Sequence, residues 1–221
     1  MKITINIIFV CILLTKLCIG QQSQVVEFQN QLNDNSKTET LKIIVDSDLK
    51  FEEALSGQNI PANVKSKLEL VTVFYYGFDD NLHKGQLLVH KDVAQDLKEI
   101  FDFIFETKFP IEKVVPISKY KWSDAESMKD NNTSSFNYRF VSGSRILSMH
   151  ANGMAIDINP KLNPYVKNGT PMPVDAVYDT SARGTINASS ELVKEFKKRG
   201  WTWGGDWKSL KDYQHFQKNI D

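Results

Sequence analysis

The sequence predicts an α+β fold in a single domain, on three observations. Residues 68–76 are rich in β-branched and aromatic side chains, which is typical of strands, and residues 85–90 read as a second strand. Residues 93–106 place their apolar side chains on one face at helical spacing, which predicts a helix packed on a core. Further along, strand-like and helix-like segments follow one another without the regular alternation of a parallel α/β sheet. We therefore expect a small antiparallel sheet flanked by helices.

The elements of the first half can be placed from local chemistry. Residues 77–84 contain glycine and an Asp-Asp-Asn run, which predicts a turn between the first two strands. Asp92 is positioned to cap the helix that follows. Residues 111–117 form the next candidate strand, and Pro116 restricts it to an edge or a strand end.

The second half is less regular. Residues 118–145 and 160–187 show little periodicity, and loops that long within a compact domain are often functional. Residues 153–158 read as a short strand. A final helix is expected to begin at a Ser189 cap and to stop at Gly200.

Residues 1–20 have the features of a secretory signal. Lys2 precedes an unbroken apolar run, Ile7 to Leu14, and the segment ends near the small residue Gly20. The run is shorter than the roughly 20 apolar residues of a membrane span. We expect cleavage, no membrane span in the mature chain and a secreted or periplasmic location; an uncleaved N-terminal anchor is the alternative.

The predicted boundaries are a signal at 1–20, a polar spacer at 21–48 with a strand near 41–45, and a globular domain at 49–221. Both cysteines, Cys11 and Cys18, fall in the signal, so the mature protein would contain neither a disulfide nor a thiolate metal ligand. The formal charge is zero, and loss of Lys2 and Lys16 leaves 25 basic against 27 acidic residues, or −2. Without a basic excess, no nucleic-acid partner is expected. We expect a monomer.

Four residues in the last third carry metal and acid–base chemistry: His150, Asp157, Asp212 and His215. Two imidazoles and one carboxylate can hold zinc and leave its fourth position open, which is the catalytic pattern. Taken singly, His150 could be a surface or hydrogen-bonded histidine, and Asp157 a turn or capping carboxylate. Asp212 could likewise be a cap or a salt-bridge partner.

Several motifs resemble a known family. His-x6-Asp within residues 148–159 and Asp-x-x-His within 212–216 are similar to the zinc D-alanyl-D-alanine carboxypeptidases, the VanY-type peptidases. The similarity extends upstream through 127–139 and covers about residues 50–218. It implies a fold like that of these peptidases and of hedgehog domains, with residues 49–221 as the catalytic domain. It also implies that His150, Asp157 and His215 hold one zinc ion.

The resemblance also implies roles for two further residues. The acid at the position of Asp212 acts in the family as general base on the zinc-bound water and then protonates the leaving amine. Arg139 matches the family's arginine that stabilises the oxyanion, with Arg145 as a nearby competitor for which surface exposure is expected. Side chains three residues apart share a face on a bend but not on a regular strand, so a bend is predicted between Asp212 and His215.

Three residues are candidates for substrate binding. Arg183 could grip a substrate carboxylate with two hydrogen bonds, or simply be solvent-exposed. Ser148 could support a metal ligand by a hydrogen bond, or be an ordinary strand serine. Trp207, with Trp201 and Trp203, could form a wall of the cleft or belong to the core.

The function implied by the resemblance is hydrolysis of peptidoglycan stem peptides, most simply at the terminal D-Ala-D-Ala bond. An endopeptidase that cuts between L-Ala and D-Glu is the nearest alternative. A non-catalytic, zinc-stabilised module that binds the cell wall is a third reading, since hedgehog-type domains hold zinc in a similar site. The remaining histidines, His83 and His90, are expected to be structural or exposed.

Overall fold

A long β-hairpin forms the first sheet of the computed structural model, which describes residues 43–219. The elements follow the chain in the order β1 (Ile44–Val45), α1 (Phe51–Ala54), α2 (Ala62–Lys65), β2 (Leu68–Tyr76), β3 (Leu82–His90), α3 (Lys91–Glu106), β4 (Lys113–Val114), α4 (Asp124–Lys129), β5 (Asn132–Thr133), β6 (Ala155–Asp157), β7 (Tyr165–Lys167), β8 (Thr170–Met172), α5 (Glu191–Lys198), β9 (Thr202–Trp203), β10 (Lys211–Asp212) and β11 (His215–Gln217). Short 3-10 helices cover Ile117–Tyr120, Met149–Asn152 and Gly204–Asp206.

The hairpin pairs β2 and β3 antiparallel over nine residues, and β1 joins the free edge of β3 in parallel. The turn is shorter than the predicted 77–84, because β3 already begins at Leu82. Val71, Val73 and Tyr75 alternate toward the core, as expected for a half-buried strand.

Helix α3 lies on this sheet through the apolar face that its sequence predicts. The residues of this face are buried, and burial of each large apolar side chain stabilises the folded state by roughly 1.5–3 kcal/mol. The prediction of Asp92 as the cap is wrong. His90 leaves the strand with extended backbone angles, and its ring nitrogen Nδ1 accepts from the Asp92 amide at 3.2 Å.

A second antiparallel sheet, in the order β6–β11–β9, carries the C-terminal part of the core. Phe216 of β11 stacks on Phe196 of α5 at 3.9 Å between ring centroids. Helix α5 starts one residue later than predicted, after Ser190, and the chain turns at Gly200 in the left-handed region. These side chains belong to the same buried cluster as the inner face of α3.

The predicted irregular stretches contain short elements. Within 118–145 lie α4 and β5, which pairs in parallel with β4; within 160–187 lie β7 and β8, which form a third sheet with β10. The candidate strand 111–117 shrinks to Lys113–Val114 because Pro116, at φ −57°, starts a 3-10 helix instead. The α+β class is confirmed, with several small sheets in place of one.

The N-terminal predictions fall mostly outside the described residues. The signal at 1–20, with both cysteines, lies outside them, as do residues 21–42 of the spacer. Within the strand expected near 41–45, Ile44–Val45 is β1. Among residues 43–219, no helix combines the length and apolarity needed to cross a membrane.

Candidate metal and catalytic site

The pairing of β6 with β11 places the first two candidate ligands. Asp157 and His215 are directly opposite in the antiparallel register, so their side chains leave the sheet on the same face. A bend at residues 213–214 separates His215 from β10, which carries Asp212. This is the bend that the spacing of these two residues predicts.

A tight reversal of the chain brings in His150. It lies in the 3-10 helix Met149–Asn152, whose first turn is capped by Ser148 Oγ accepting from the His150 amide at 3.3 Å. Gly153 ends this helix at φ 70°, and a Cβ there would lie 2.6 Å from the backbone nitrogen of His90. Glycine is therefore needed for both the backbone angle and the close approach to β3. Strand β6 starts two residues later.

The three side chains converge on one point. Nδ1 of His215 lies 2.9 Å from Oδ1 of Asp157 and 3.1 Å from Nε2 of His150. The same Nε2 lies 3.2 Å from Oδ2 of Asp157. Ligand atoms bonded to one tetrahedral zinc at its usual distances are about 3.3 Å apart. The donor set and its spacing therefore fit a zinc ion with small adjustments.

Burial and charge at the site favour a cation. Burial would raise the pKa of Asp157, but the imidazoles of His150 and His215 outweigh it and hold this pKa well below its ordinary value. Burial would lower the pKa of His215, but the Asp157 hydrogen bond and the charges of Asp157 and Asp212 outweigh it and raise this pKa to about 9. The negative potential that retains a proton here would equally attract a metal ion.

Asp212 is the fourth group of the site. Burial raises its pKa to about 6, and the charges of His150, Asp157 and His215 all act on it. Its Oδ1 is buried and has no hydrogen-bond partner among residues 43–219. Gly204 leaves it room, because a Cβ there would lie 2.8 Å from the Asp212 Cβ. A buried carboxyl with a pKa in this range suits proton transfer near neutral pH.

Arg139 reaches the site through its backbone. Its carbonyl accepts from the Ser148 amide at 3.0 Å, immediately before the His150 helix. Its Nε pairs with the carboxylate of Asp124, which also accepts from Asn137 Nδ2 at 2.6 Å. The competing Arg145 is exposed. Asp124 is a partner that sequence reasoning missed.

The structure separates the three predicted substrate-binding residues. The Trp207 ring lies 5.3 Å from the His215 ring, at the edge of the site. Ser148 caps the ligand-bearing helix through the hydroxyl contact described above. Arg183 is exposed and pairs with Asp80 at 2.6 Å. Of the other tryptophans, Trp201 and Trp203 are buried in the core.

Two supporting hydrogen bonds were not predicted. Nδ1 of His150 lies 2.5 Å from the Ser135 carbonyl oxygen, and Nε2 of His215 lies 2.9 Å from Oε1 of Gln217. Alternation along β11 places Gln217 on the face of His215, but the residue type of Gln217 does not indicate that it contacts a candidate ligand.

The other two histidines lie away from the site. His90 is a helix cap and His83 is buried between two carboxylates, so both are structural.

Comparison with known families agrees with this geometry. Residues 142–218 match the model of a peptidase family described as D-alanyl-D-alanine carboxypeptidase. The predicted resemblance is therefore confirmed for the segment that holds His150, Asp157, Asp212 and His215. Arg139 lies upstream of the matched residues. No solved structure matches the chain.

Proposed function

We propose that this protein is a zinc-dependent peptidase that hydrolyses peptidoglycan stem peptides, with the terminal D-Ala-D-Ala bond as its substrate. One observation carries the proposal: one nitrogen of each of His150 and His215 and the two carboxylate oxygens of Asp157 make contacts of 2.9–3.2 Å, beside the Asp212 carboxyl with its buried Oδ1. The family match to residues 142–218 supports the peptidase class and the wall substrate.

Asp212 would move the proton of the reaction. A zinc ion held by the three ligands would supply Lewis acidity and lower the pKa of a bound water toward about 7. Asp212 accepts one proton from the water whose oxygen adds to the peptide carbonyl carbon. It then gives that proton to the amide nitrogen as the C–N bond breaks, which releases a carboxylic acid and an amine.

Arg139 would stabilise the negative charge that develops on the carbonyl oxygen. Asp124 pairs with the Nε of this guanidinium, and the Phe140 carbonyl accepts from its Nη1 at 3.5 Å. These contacts would fix the direction of Arg139 before substrate arrives, which is how a preorganised cation lowers a barrier.

The test is mass spectrometry of purified muropeptides after incubation with the mature protein. We expect loss of one terminal D-Ala, its suppression by a chelator and its recovery on addition of zinc. Cleavage between L-Ala and D-Glu would replace the carboxypeptidase with an endopeptidase. A folded, zinc-loaded sample that cleaves neither bond would reject the enzyme and favour a wall-binding module.

We also propose that the protein acts outside the cytoplasmic membrane as a monomer, after removal of residues 1–20. The basic start, apolar run and small residue of this segment support export. N-terminal sequencing of the protein recovered from the culture medium or periplasm tests cleavage, and size-exclusion chromatography with light scattering tests the monomer. An intact N-terminus in a membrane fraction would contradict the proposal.

A further inference from the structure

Gln217 is the outer partner of one metal ligand. It follows His215 by two residues in β11, so the two side chains share a face of the strand. Its backbone is fixed on both sides, opposite Ala155 of β6 and Thr202 of β9. The side-chain Oε1 lies 2.9 Å from Nε2 of His215.

The two nitrogens of His215 have different surroundings. Nδ1 faces Asp157 and His150 and belongs to the converging donor set. A neutral imidazole carries one proton, and the nitrogen that binds a cation must offer its lone pair. When Nδ1 binds a metal, the proton must therefore be on Nε2, where the Gln217 oxygen can accept it.

We infer that Gln217 is a positioning residue: its Oε1 holds the proton of His215 on Nε2, fixes the ring, and thereby sets the affinity of the site for a divalent metal ion. The inference rests on the proposed zinc site but does not depend on which bond is cleaved. A reversed amide would place an N–H against Nε2 and favour the proton on Nδ1, where it would block metal binding.

The two histidine ligands are held by different means. His150 has its Nδ1 against the backbone carbonyl of Ser135, which no substitution removes. His215 depends on a side chain, so its support can be changed by mutation. Partners of this kind typically change metal affinity by about 10- to 100-fold when they are lost.

The experiment measures zinc affinity of Gln217→Leu and Gln217→Glu by competition with a chromophoric chelator at neutral pH. Leucine removes the acceptor, and we expect affinity to fall about 10- to 100-fold. Glutamate keeps an acceptor and cannot donate, so we expect affinity at least equal to wild type. Gln95→Leu is the matched control, since Gln95 is an exposed glutamine on α3 that bonds Glu99.

Melting curves and circular dichroism of the metal-free proteins separate metal affinity from folding. Wild-type affinity in Gln217→Leu, or an equal loss in the leucine and glutamate variants, would overturn the inference. If the leucine variant does not fold, ¹⁵N NMR of the zinc-loaded wild type decides: an Nε2 proton of His215 protected from exchange with water supports the hydrogen bond to Gln217, and a freely exchanging Nε2 proton, or a proton on Nδ1, rejects it. Tight zinc binding without cleavage of stem peptides would reject the proposed function alone.

Discussion

Each half of the molecule has a cluster of aspartates around buried histidine, and the two clusters differ in which atoms the ring nitrogens contact. In the N-terminal sheet, His83 of β3 has Nδ1 2.8 Å from Oδ2 of Asp46 and Nε2 3.2 Å from Oδ1 of Asp79. Tyr75 donates a short hydrogen bond to the same Asp46 oxygen. The opposite nitrogens of one ring are occupied by separate carboxylates, so this His83 cluster has no common point for an ion.

In the C-terminal sheet, one nitrogen of each histidine and the Asp157 carboxylate meet within 3.2 Å. The other nitrogen of each ring is bound from outside, by Ser135 and Gln217. The histidines of both clusters are buried, and both clusters contain acids. The clusters therefore differ in the direction of their donor atoms more than in the number of ionisable groups, and only the second set of donor atoms converges on a point where an ion could bind.

The strongest test removes one histidine from each cluster. We expect His150→Ala to lose stoichiometric zinc and peptidase activity together, because two protein ligands hold zinc far less well than three. His83→Ala should keep zinc and activity but lose about 2 kcal/mol of stability, since it removes one hydrogen bond to the partly buried Asp46 carboxylate and leaves only that from Tyr75. Elemental analysis, activity and urea unfolding measure the three quantities. Zinc loss from His83→Ala would break the comparison.

Asp212→Asn tests the proposed general base. Asp212 has a buried carboxylate oxygen without a hydrogen-bond partner among the described residues. The substitution keeps the volume but removes the basic oxygen, so kcat should fall about 10²- to 10⁴-fold. Zinc content should be unchanged, since Asp212 is not one of the converging ligands. Steady-state kinetics on a stem peptide and elemental analysis check this; unchanged kcat would remove Asp212 as the base.

The pH dependence of stability sharpens the comparison further. The pKa of His215 in the metal-free protein is about 9, above its ordinary value of 6.5. A raised histidine pKa stabilises the folded state below about pH 6.5, and this stabilisation is lost as the pH rises through about 9. It amounts to about 3 kcal/mol. We therefore expect the metal-free protein to melt at progressively lower temperature between pH 7 and 10.

The zinc-loaded protein in the same buffers is the control. There Nδ1 of His215 would bind the metal and carry no proton across this range. Its melting temperature should depend less on pH than that of the metal-free protein. Parallel curves for the two forms would mean that His215 does not control the difference.

The long elements could be predicted from the sequence because their patterns repeat. The last six of the nine residues of β2 are β-branched or aromatic, and the apolar stripe of α3 recurs turn after turn, so each signal is reinforced along its length. The strands around the site have two or three residues each. Segments that short are fixed by pairing register and side-chain hydrogen bonds, which a local pattern does not contain.

The same limit applies to the site. Motif spacing selected the candidate ligand residues, but their convergence depends on the β6–β11 register and on the left-handed turn at Gly153. Arg139 and Asp124 pair although they are 15 positions apart in the sequence, with α4 and β5 in that segment, so the pair leaves no periodic signal. His83 looked like part of a polar turn because its neighbours are polar, yet extension of β3 to Leu82 buries it.

The smallest expected effect concerns Arg183, which belongs to neither cluster. Its ion pair with Asp80 is exposed, with 59% and 72% of the two side chains accessible, and such pairs contribute little. Arg183→Ala should leave the stability of the fold unchanged. If Arg183 binds the substrate carboxylate, KM should rise while kcat is retained, and Asp80→Ala, which frees the guanidinium, should not raise KM. Unchanged KM in Arg183→Ala would assign Arg183 to the surface alone.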